Sequence, residues 1–555
     1  MPRREKKMDF SAVDRTYERA RRNFRIDVPE EFNFAFDVID GWAARDDRTA
    51  VIAVSRDGET VRRIAFSEFS ESSNRLANAL VALGAGPGDF ACVVVGRVPA
   101  WYTVLFGCMK AGVVSMPGTN LLTAHDIAYR INHARATLVV VTPEHCAKVD
   151  AIRDQCPTLK HFIVVDGERD DWLPLDRLLA DASPVLERAS LPATRATDMM
   201  MAYFTSGTTS MPKMVPRDHA YALAHAATGL FWMDLRPTDT HWSLTDTGWA
   251  KAAWGILFPQ MLLGTPCVLY NGEGAFDADM HLKLIGKLGV TTFCAPPTVY
   301  RLFAQHDLTR YDLSSLRRSL GAGEPLNPEV MRIWKGATGT TIADGYGQTE
   351  TINIVANFPG EEVRPGSMGR PVPGYDVDVV DDDGNRRPDD EVGHIAVRIT
   401  DLYPGGLFHG YYQGEGKPLD TAAFRYGWYY TGDTARRDPD GYLWFVGRSD
   451  DIITSAGYRI SPFEVESALL VHDAVAESAV VAKPDATRGE IVKAYVVLAK
   501  GFSPSDELVR DIQDFCRNLT APYKYPREIE FLEALPKTIS GKIRRVELRQ
   551  AARNA

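Results

Sequence analysis

The sequence lacks a surplus of basic charge: 63 Lys+Arg against 73 Asp+Glu leave a formal net charge of −10 across 555 residues. Nucleic acid is therefore not an expected partner, because binding by counterion release needs a basic face. Cysteine pairs are lacking too. The seven cysteines (Cys92, Cys108, Cys146, Cys156, Cys267, Cys294 and Cys516) are odd in number and widely spaced, with no C-x-x-C among them. That pattern excludes a disulfide framework and a zinc ribbon, and reads as reduced thiols in a cytoplasmic compartment. No long apolar run is present either. The most hydrophobic stretch, about 255–270, is interrupted by Pro259, Gly264 and Pro266, so no membrane span is expected. The basic start MPRREKK has no apolar segment after it; its arginines would suit a mitochondrial presequence, but Asp9, Asp14 and Glu18 come too early to favour one. Other enzyme signatures are missing: there is no G-x-S-x-G elbow, no H-E-x-x-H, no kinase H-R-D and no complete G-x-G-x-x-G.

What is present is ordinary globular composition, 45% hydrophobic and 25% charged, at a length suited to about two to four domains. From 90 to 166 short β-branched runs (CVVVG, GVVSMPG, ATLVVVTP, HFIVVDG) alternate with helix-length segments. Such alternation predicts βαβ units and a parallel sheet. The rhythm resumes at MMMAYFTSG, TTFCAPP, LRRSLGAG and TTIADGYGQTE, whose polar endings fall where ligands of such sheets bind. After Gly366 the texture changes to DVDVV, an Asp383-Gly384 turn and HIAVRI, which predicts an antiparallel hairpin within a β-rich subdomain at about 360–447. Further on, Ser461 suits a helix N-cap, Pro462 its first position and Glu464 a capping box. Two strands, a helix at about 506–519 and a last strand near Glu528 complete a small α+β domain.

The stretch YFTSGTTSMPK at 203–213 carries the most chemistry. Five hydroxyls (Thr205, Ser206, Thr208, Thr209, Ser210), Gly207 and Lys213 follow a strand, a composition that can gather N–H groups, hydroxyls and a cation around phosphate oxygens. It is not a Walker A loop. Taken alone it is equally well an ordinary Ser/Thr-rich surface loop.

Its company decides the reading. The segment resembles the phosphate loop of the adenylate-forming superfamily of acyl-CoA synthetases, peptide-synthetase adenylation domains and luciferases. The other family motifs follow in family order: GAGEPL (321–326), DGYGQTE (344–350), YYTGD (429–433), GRSDD (447–451), SAGYR (455–459) and PKTISGK (536–542). The resemblance runs from about residue 30 to 548. It implies an α/β enzyme with a large N-terminal domain of parallel-sheet subdomains plus the β-rich subdomain (1–447), a hinge at 448–451 centred on Asp450, and a small mobile α+β domain (452–555).

The same resemblance implies the site. ATP or AMP would be held by Thr205, Ser206, Gly207, Thr208, Thr209 and Lys213; by Gly323, Glu324 and Pro325; by Asp344, Gly345, Tyr346, Gly347, Gln348 and Thr349; and by Asp433 and Arg448. Glu350 would supply the hard oxygen ligand that Mg²⁺ requires. Thr349 would donate to the α-phosphate, Tyr346 would stack on adenine, and Asp433 would accept both ribose hydroxyls with Arg448 nearby. Lys542 would neutralise charge developing in adenylation. Gly457, Tyr458, Arg459 and Lys524 would line the coenzyme A side.

Within the superfamily, HWSLTDTGWAKAAW (241–254) and APYKYPR (521–527) look most like medium-chain acyl-CoA synthetases and benzoate-type ligases. Trp249 and Trp254 become acyl-pocket candidates. So does Gly347, whose missing side chain would leave room where acetyl-specific relatives carry a Trp. The expected activity is that of an ATP-dependent acid:CoA ligase for a medium-chain or aromatic acid, using ATP, Mg²⁺ and coenzyme A, as a monomer or homodimer. Two alternatives stand beside it: an enzyme loading a carrier protein's pantetheine, and a non-catalytic acyl-nucleotide binder. The second is disfavoured by the presence of Lys542, Glu350 and Asp433.

Overall fold

The computed structural model describes all residues except 1–9, 11–12, 206–210, 273, 275, 324–327, 401–402, 457, 521–522, 538–542 and 555. The chain separates into two compact units. The first is built from Met1–Thr205, Met214–Asp376 and Ile399–Ala422, the second chiefly from Val377–Arg398 and Ala423–Ala555.

Two sheets organise the first unit. A seven-stranded sheet runs in the order Leu173–Pro174, His161–Val164, Leu138–Val141, Phe90–Val94, Val114–Pro117, Met199–Thr205, Lys213–Asp218. Its inner pairs are parallel, as the alternating pattern predicts. Leu138–Val141 is buried at every position, the signature of a strand covered on both faces. One crossover helix, Ala124–Ala134, starts at a reciprocal cap: Thr123 accepts from the Asp126 N–H, and the Asp126 carboxylate accepts from the Thr123 N–H at 3.0 Å.

The nine-stranded sheet has six parallel strands at its centre, in the order Ile342–Gly347, Arg318–Ala322, Thr292–Ala295, His241–Ser243, Cys267–Tyr270, Thr49–Val54, with antiparallel strands at both edges. His241–Ser243 pairs with the next strand in sequence, Cys267–Tyr270, on one side and with the one after, Thr292–Ala295, on the other, so the strand order reverses around it while the direction stays parallel. The crevice beyond the carboxyl end of such a strand is where open α/β sheets bind ligands. Beneath it lies an aromatic core in which Phe293 and Trp334 stack and Tyr300 meets Trp334 edge-on. Each fully buried aromatic of this kind contributes roughly 1.5–3 kcal/mol of burial free energy.

The second unit contains an antiparallel sheet of Val377–Val380, Val392–Arg398, Phe424–Arg425, Trp428–Arg437 and Leu443–Arg448. The hairpin expected around Asp383-Gly384 is there, with Val377 opposite Val397. A second five-stranded sheet follows, centred on Gly489–Leu498, with helices Pro462–Leu469, Asp506–Leu519 and Arg545–Asn554. Ser461 caps its helix by accepting from the Glu464 N–H at 3.2 Å. The other half of the expected capping box is not made. The Glu464 carboxylate instead pairs with Lys524 at 2.8 Å, a stronger partner for a charge than a backbone N–H. The short strands Ile453–Ser455 and Tyr458–Ile460 and the last helix are absent from the sequence reading.

Candidate active site

In the first unit the GAGEPL and DGYGQTE motifs meet by strand pairing. Gly321 lies opposite Asp344 in the parallel ladder, and a small crevice lined by Gly321, Met331, Asp344, Asn357 and Arg364 opens beside them. Burial pushes the Asp344 carboxyl up to about 7, against the opposing pull of the Gly345 N–H at 2.8 Å. Strand Ile342–Gly347 does not simply end at its polar residues. It turns through 348–352 and returns antiparallel as Asn353–Ala356, so Thr349 and Glu350 sit in a tight turn and not at a strand terminus. Gln348 and Thr351 close that turn: Thr351 N donates to Gln348 O, and Gln348 N donates to Thr351 Oγ1 at 3.0 Å.

Glu350 is 8% exposed. The Tyr411 hydroxyl donates to its Oε1 at 2.8 Å, and among the described residues none hydrogen-bonds its Oε2. The backbone of the turn is held as firmly. Arg217, 2% exposed, donates to Glu350 O at 3.1 Å, Thr351 O at 3.1 Å and Gly406 O at 2.6 Å, its guanidinium stacked on Tyr221 at 3.7 Å. Among the described residues no group of three or more His, Cys, Asp or Glu could hold a metal ion. One buried carboxylate with a single open oxygen fits Mg²⁺ that brings phosphate and water ligands with it.

Of the two acyl-pocket candidates among the tryptophans, Trp249 opens a short helix, Ala250–Ala252, that widens into a π-helix over Ala253–Leu257, a form common at functional sites. Gly248 lets this segment approach the other sheet: a Cβ there would lie 1.9 Å from Thr119 N. Trp254 meets Trp232 edge-on at 5.2 Å, and Trp232 packs within 2.6 Å of where a Gly345 side chain would begin. Trp254 is thus brought beside the 344–350 motif. Gly347 requires a correction. The direction its side chain would take is filled by backbone, with Ile352 O 2.3 Å from a built Cβ, so the missing side chain accommodates the returning strand and not a longer acyl group. Lys251, which sequence reasoning passed over, sets its ammonium 5.3 Å from the Trp254 ring centre with no ion pair among the described residues, and burial lowers its pKa.

In the second unit Asp433 and Arg448 are directly opposed across adjacent strands, with Asp433 buried and its carboxylate 3.7 Å from the guanidinium. Arg448 Nε is also 3.5 Å from Asp450, and Asp451 pairs with Arg549 of the last helix. Tyr458, 52% exposed, stacks on Tyr523 at 4.3 Å, with the Lys524 ammonium 5.8 Å from the Tyr523 ring. Thr205 ends one strand and exposed Lys213 begins another. Ser206, Gly207, Thr208, Thr209, Glu324, Pro325, Gly457, Lys542 and the Arg459 side chain lie outside the described residues. Tyr411 and Arg217 were also missed. An arginine directly after the apolar Met214-Val215-Pro216 of strand Lys213–Asp218 was the available signal for the latter.

Comparison with known proteins gives concordant results. The family model for AMP-binding enzymes matches residues 40–412, and that for the AMP-binding enzyme C-terminal domain matches 464–542. The rat acyl-coenzyme A synthetase ACSM4, mitochondrial, is 44% identical over 98% of this chain and 93% of its own. The human acyl-coenzyme A synthetase ACSM3, mitochondrial, is 41% identical over 96% and 92%. Among solved structures, the anthranilate CoA ligase AuaEII in complex with anthranoyl-AMP aligns with TM-score 0.85 and 34% identity over 95% of this chain and 98% of its own. A benzoate CoA ligase from Burkholderia xenovorans LB400 aligns with TM-score 0.79 and 28% identity over 93% and 100%.

Proposed function

The chain belongs to the AMP-binding enzyme family and is an AMP-forming acid:CoA ligase that uses ATP, Mg²⁺ and coenzyme A, and from that premise we propose that its acid is a medium-chain or aromatic carboxylic acid activated at Glu350 and Thr349. The observation that carries this reading is the Glu350 carboxylate, one oxygen held by Tyr411 and the other open, on a turn whose strand pairs with the Gly321 motif.

In the first half-reaction the substrate carboxylate attacks the α-phosphorus of ATP and pyrophosphate departs. Thr349 donates its hydroxyl to an α-phosphate oxygen, and Thr205, Ser206, Gly207, Thr208, Thr209 and Lys213 serve the phosphate oxygens of ATP. Bound Mg²⁺ neutralises phosphate charge. Lys542 supplies a cation where negative charge develops. Asp433 accepts from the ribose hydroxyls, Arg448 adds fixed donors, and Tyr346 lies against adenine. In the second half-reaction the coenzyme A sulfur attacks the acyl carbon and AMP leaves with the bonding pair. Gly457 leaves space for the thiol arm, while Tyr458, Arg459 and Lys524 serve the coenzyme A side. Asp450 is the hinge between a large part, 1–447, and a small one, 452–555, which moves between half-reactions.

Trp249 and Trp254 wall the acyl pocket in this proposal, without Gly347. Seven buried, unpaired cysteines support a reducing, cytoplasmic-type compartment, although the named relatives carry "mitochondrial" in their names. Among the described residues no helix is long and apolar enough to cross a membrane. A carboxylate panel with free coenzyme A, scored by acyl-CoA mass and AMP release, tests the function, and light scattering separates monomer from homodimer. Acyl-adenylate formation without any acyl-CoA would favour the carrier-protein alternative.

A further inference from the structure

Glu350 is held at two points by residues distant in the chain. Its carbonyl accepts from Arg217 Nη1 and from the Phe408 N–H at 2.9 Å, and its carboxylate accepts from the Tyr411 hydroxyl at 2.8 Å. Tyr411 is itself fixed. It exchanges paired backbone hydrogen bonds with Asp420, each 2.9 Å, and its ring meets Phe408 edge-on at 4.9 Å. The same short segment thus presents Phe408 N to the Glu350 backbone and Tyr411 Oη to its side chain. The turn and the carboxylate are located by one rigid piece of chain.

We propose that Tyr411 is a positioning residue for adenylation: by occupying Glu350 Oε1 it fixes the carboxylate and presents Oε2 alone to the Mg²⁺ that accompanies ATP. This rests on the reading of Glu350 as the metal ligand. A carboxylate free at both oxygens rotates about its last bond and can chelate a cation with both. Mg²⁺ demands near-octahedral geometry at about 2.0–2.1 Å, and a narrow two-oxygen bite on one carboxylate serves it poorly. A donor on one oxygen removes both freedoms before the metal arrives. Outer-shell hydrogen bonds of this kind typically govern about 10–100-fold in metal affinity or activity. Arg217 complements Tyr411 by fixing the backbone, but every hydrogen bond it donates here goes to a carbonyl, so it sets where the turn lies and not which carboxylate oxygen is offered.

The test uses the full chain with Mn²⁺ as the probe, titrated by electron paramagnetic resonance in the presence of a non-hydrolysable ATP analogue. Tyr411→Phe removes one hydroxyl and keeps the ring. The expected result is a Mn²⁺ dissociation constant about tenfold higher than wild type. The Mg²⁺ concentration for half-maximal ATP–pyrophosphate exchange should rise in parallel, so that excess Mg²⁺ restores most of the exchange rate. Thioester formation from synthetic acyl-adenylate and coenzyme A should stay within about twofold, since that step has no pyrophosphate to release. Unchanged Mn²⁺ binding by Tyr411→Phe, alongside weakened binding by Glu350→Gln, overturns the proposal alone. Unchanged binding by Glu350→Gln overturns the metal-ligand reading beneath it. Equal loss of both half-reactions in Tyr411→Phe, with no rescue by Mg²⁺, shows a merely structural role and also overturns it.

Discussion

Arg448 stands 3.5 Å from Asp450 through Nε and, through Nη1, 3.7 Å from Asp433 on the neighbouring strand. The residue assigned to ribose and the residue assigned to the hinge therefore share one guanidinium.

Replacing Asp450 with proline removes that carboxylate and locks φ near −65°. The expected outcome is acid-dependent ATP–pyrophosphate exchange close to wild type, with acyl-CoA production at least about tenfold lower, read by running both assays on the same preparation. Near-normal thioester synthesis by a folded Asp450→Pro protein would return Asp450 to the status of a surface charge.

Under the proposed mechanism, replacing Lys542 separates the half-reactions too. Lys542→Ala should lower adenylation roughly a hundredfold to a thousandfold, the usual cost of deleting one charge-stabilising group, while thioester formation from synthetic acyl-adenylate persists. Single-turnover measurement of each half-reaction decides it. Equal losses in both would remove Lys542 from its assigned role.

Under the proposed function, acyl preference is set in the Trp249–Trp254 region and not by Gly347. Wild-type kcat/KM should rise from acetate toward acids of about four carbons or more, or toward benzoate-like rings, each buried methylene contributing about 0.8 kcal/mol. Because Ile352 O lies 2.3 Å from a Cβ built on Gly347, Gly347→Trp must displace the turn that carries Thr349 and Glu350. Adenylation should then fall at least about tenfold for every acid, short or long. A clean switch toward acetate with undiminished rate would restore Gly347 as the pocket floor.

Asp344 should leave a mark on stability. In the unfolded chain its carboxyl ionises near its ordinary 3.8, whereas in the fold it holds its proton up to about 7. Between those values the folded state binds more protons, so its contribution is fully present below about pH 4 and is lost as pH rises through 7, by at most about 1.4 kcal/mol per pH unit. Asp344→Asn should therefore melt higher than wild type at pH 8, with the gap closing as the pH falls to 4. Parallel melting curves across that range would show that burial does not govern this carboxyl.

Local chemistry made much of the protein legible in one dimension. Buried β-branched runs such as LVVV at 138–141 can only be strands covered on both faces, and Ser461 followed by Pro462 starts a helix wherever it occurs. The motifs pointed to the AMP-binding enzyme family in the same way, because nucleotide chemistry demands particular residue types at short spacing. What tertiary structure decided depends on partners far apart in the chain. Glu464 lost its expected cap to Lys524, 60 residues on. Glu350 is gripped by Tyr411 and Arg217 from 61 and 133 residues away. Gly347 faces the strand that returns from its own turn, so its missing side chain makes room for backbone. No local pattern encodes these contacts, since hydrogen-bond partners are selected by which strands and loops come together in space, and a residue's spacing along the chain carries no trace of that choice.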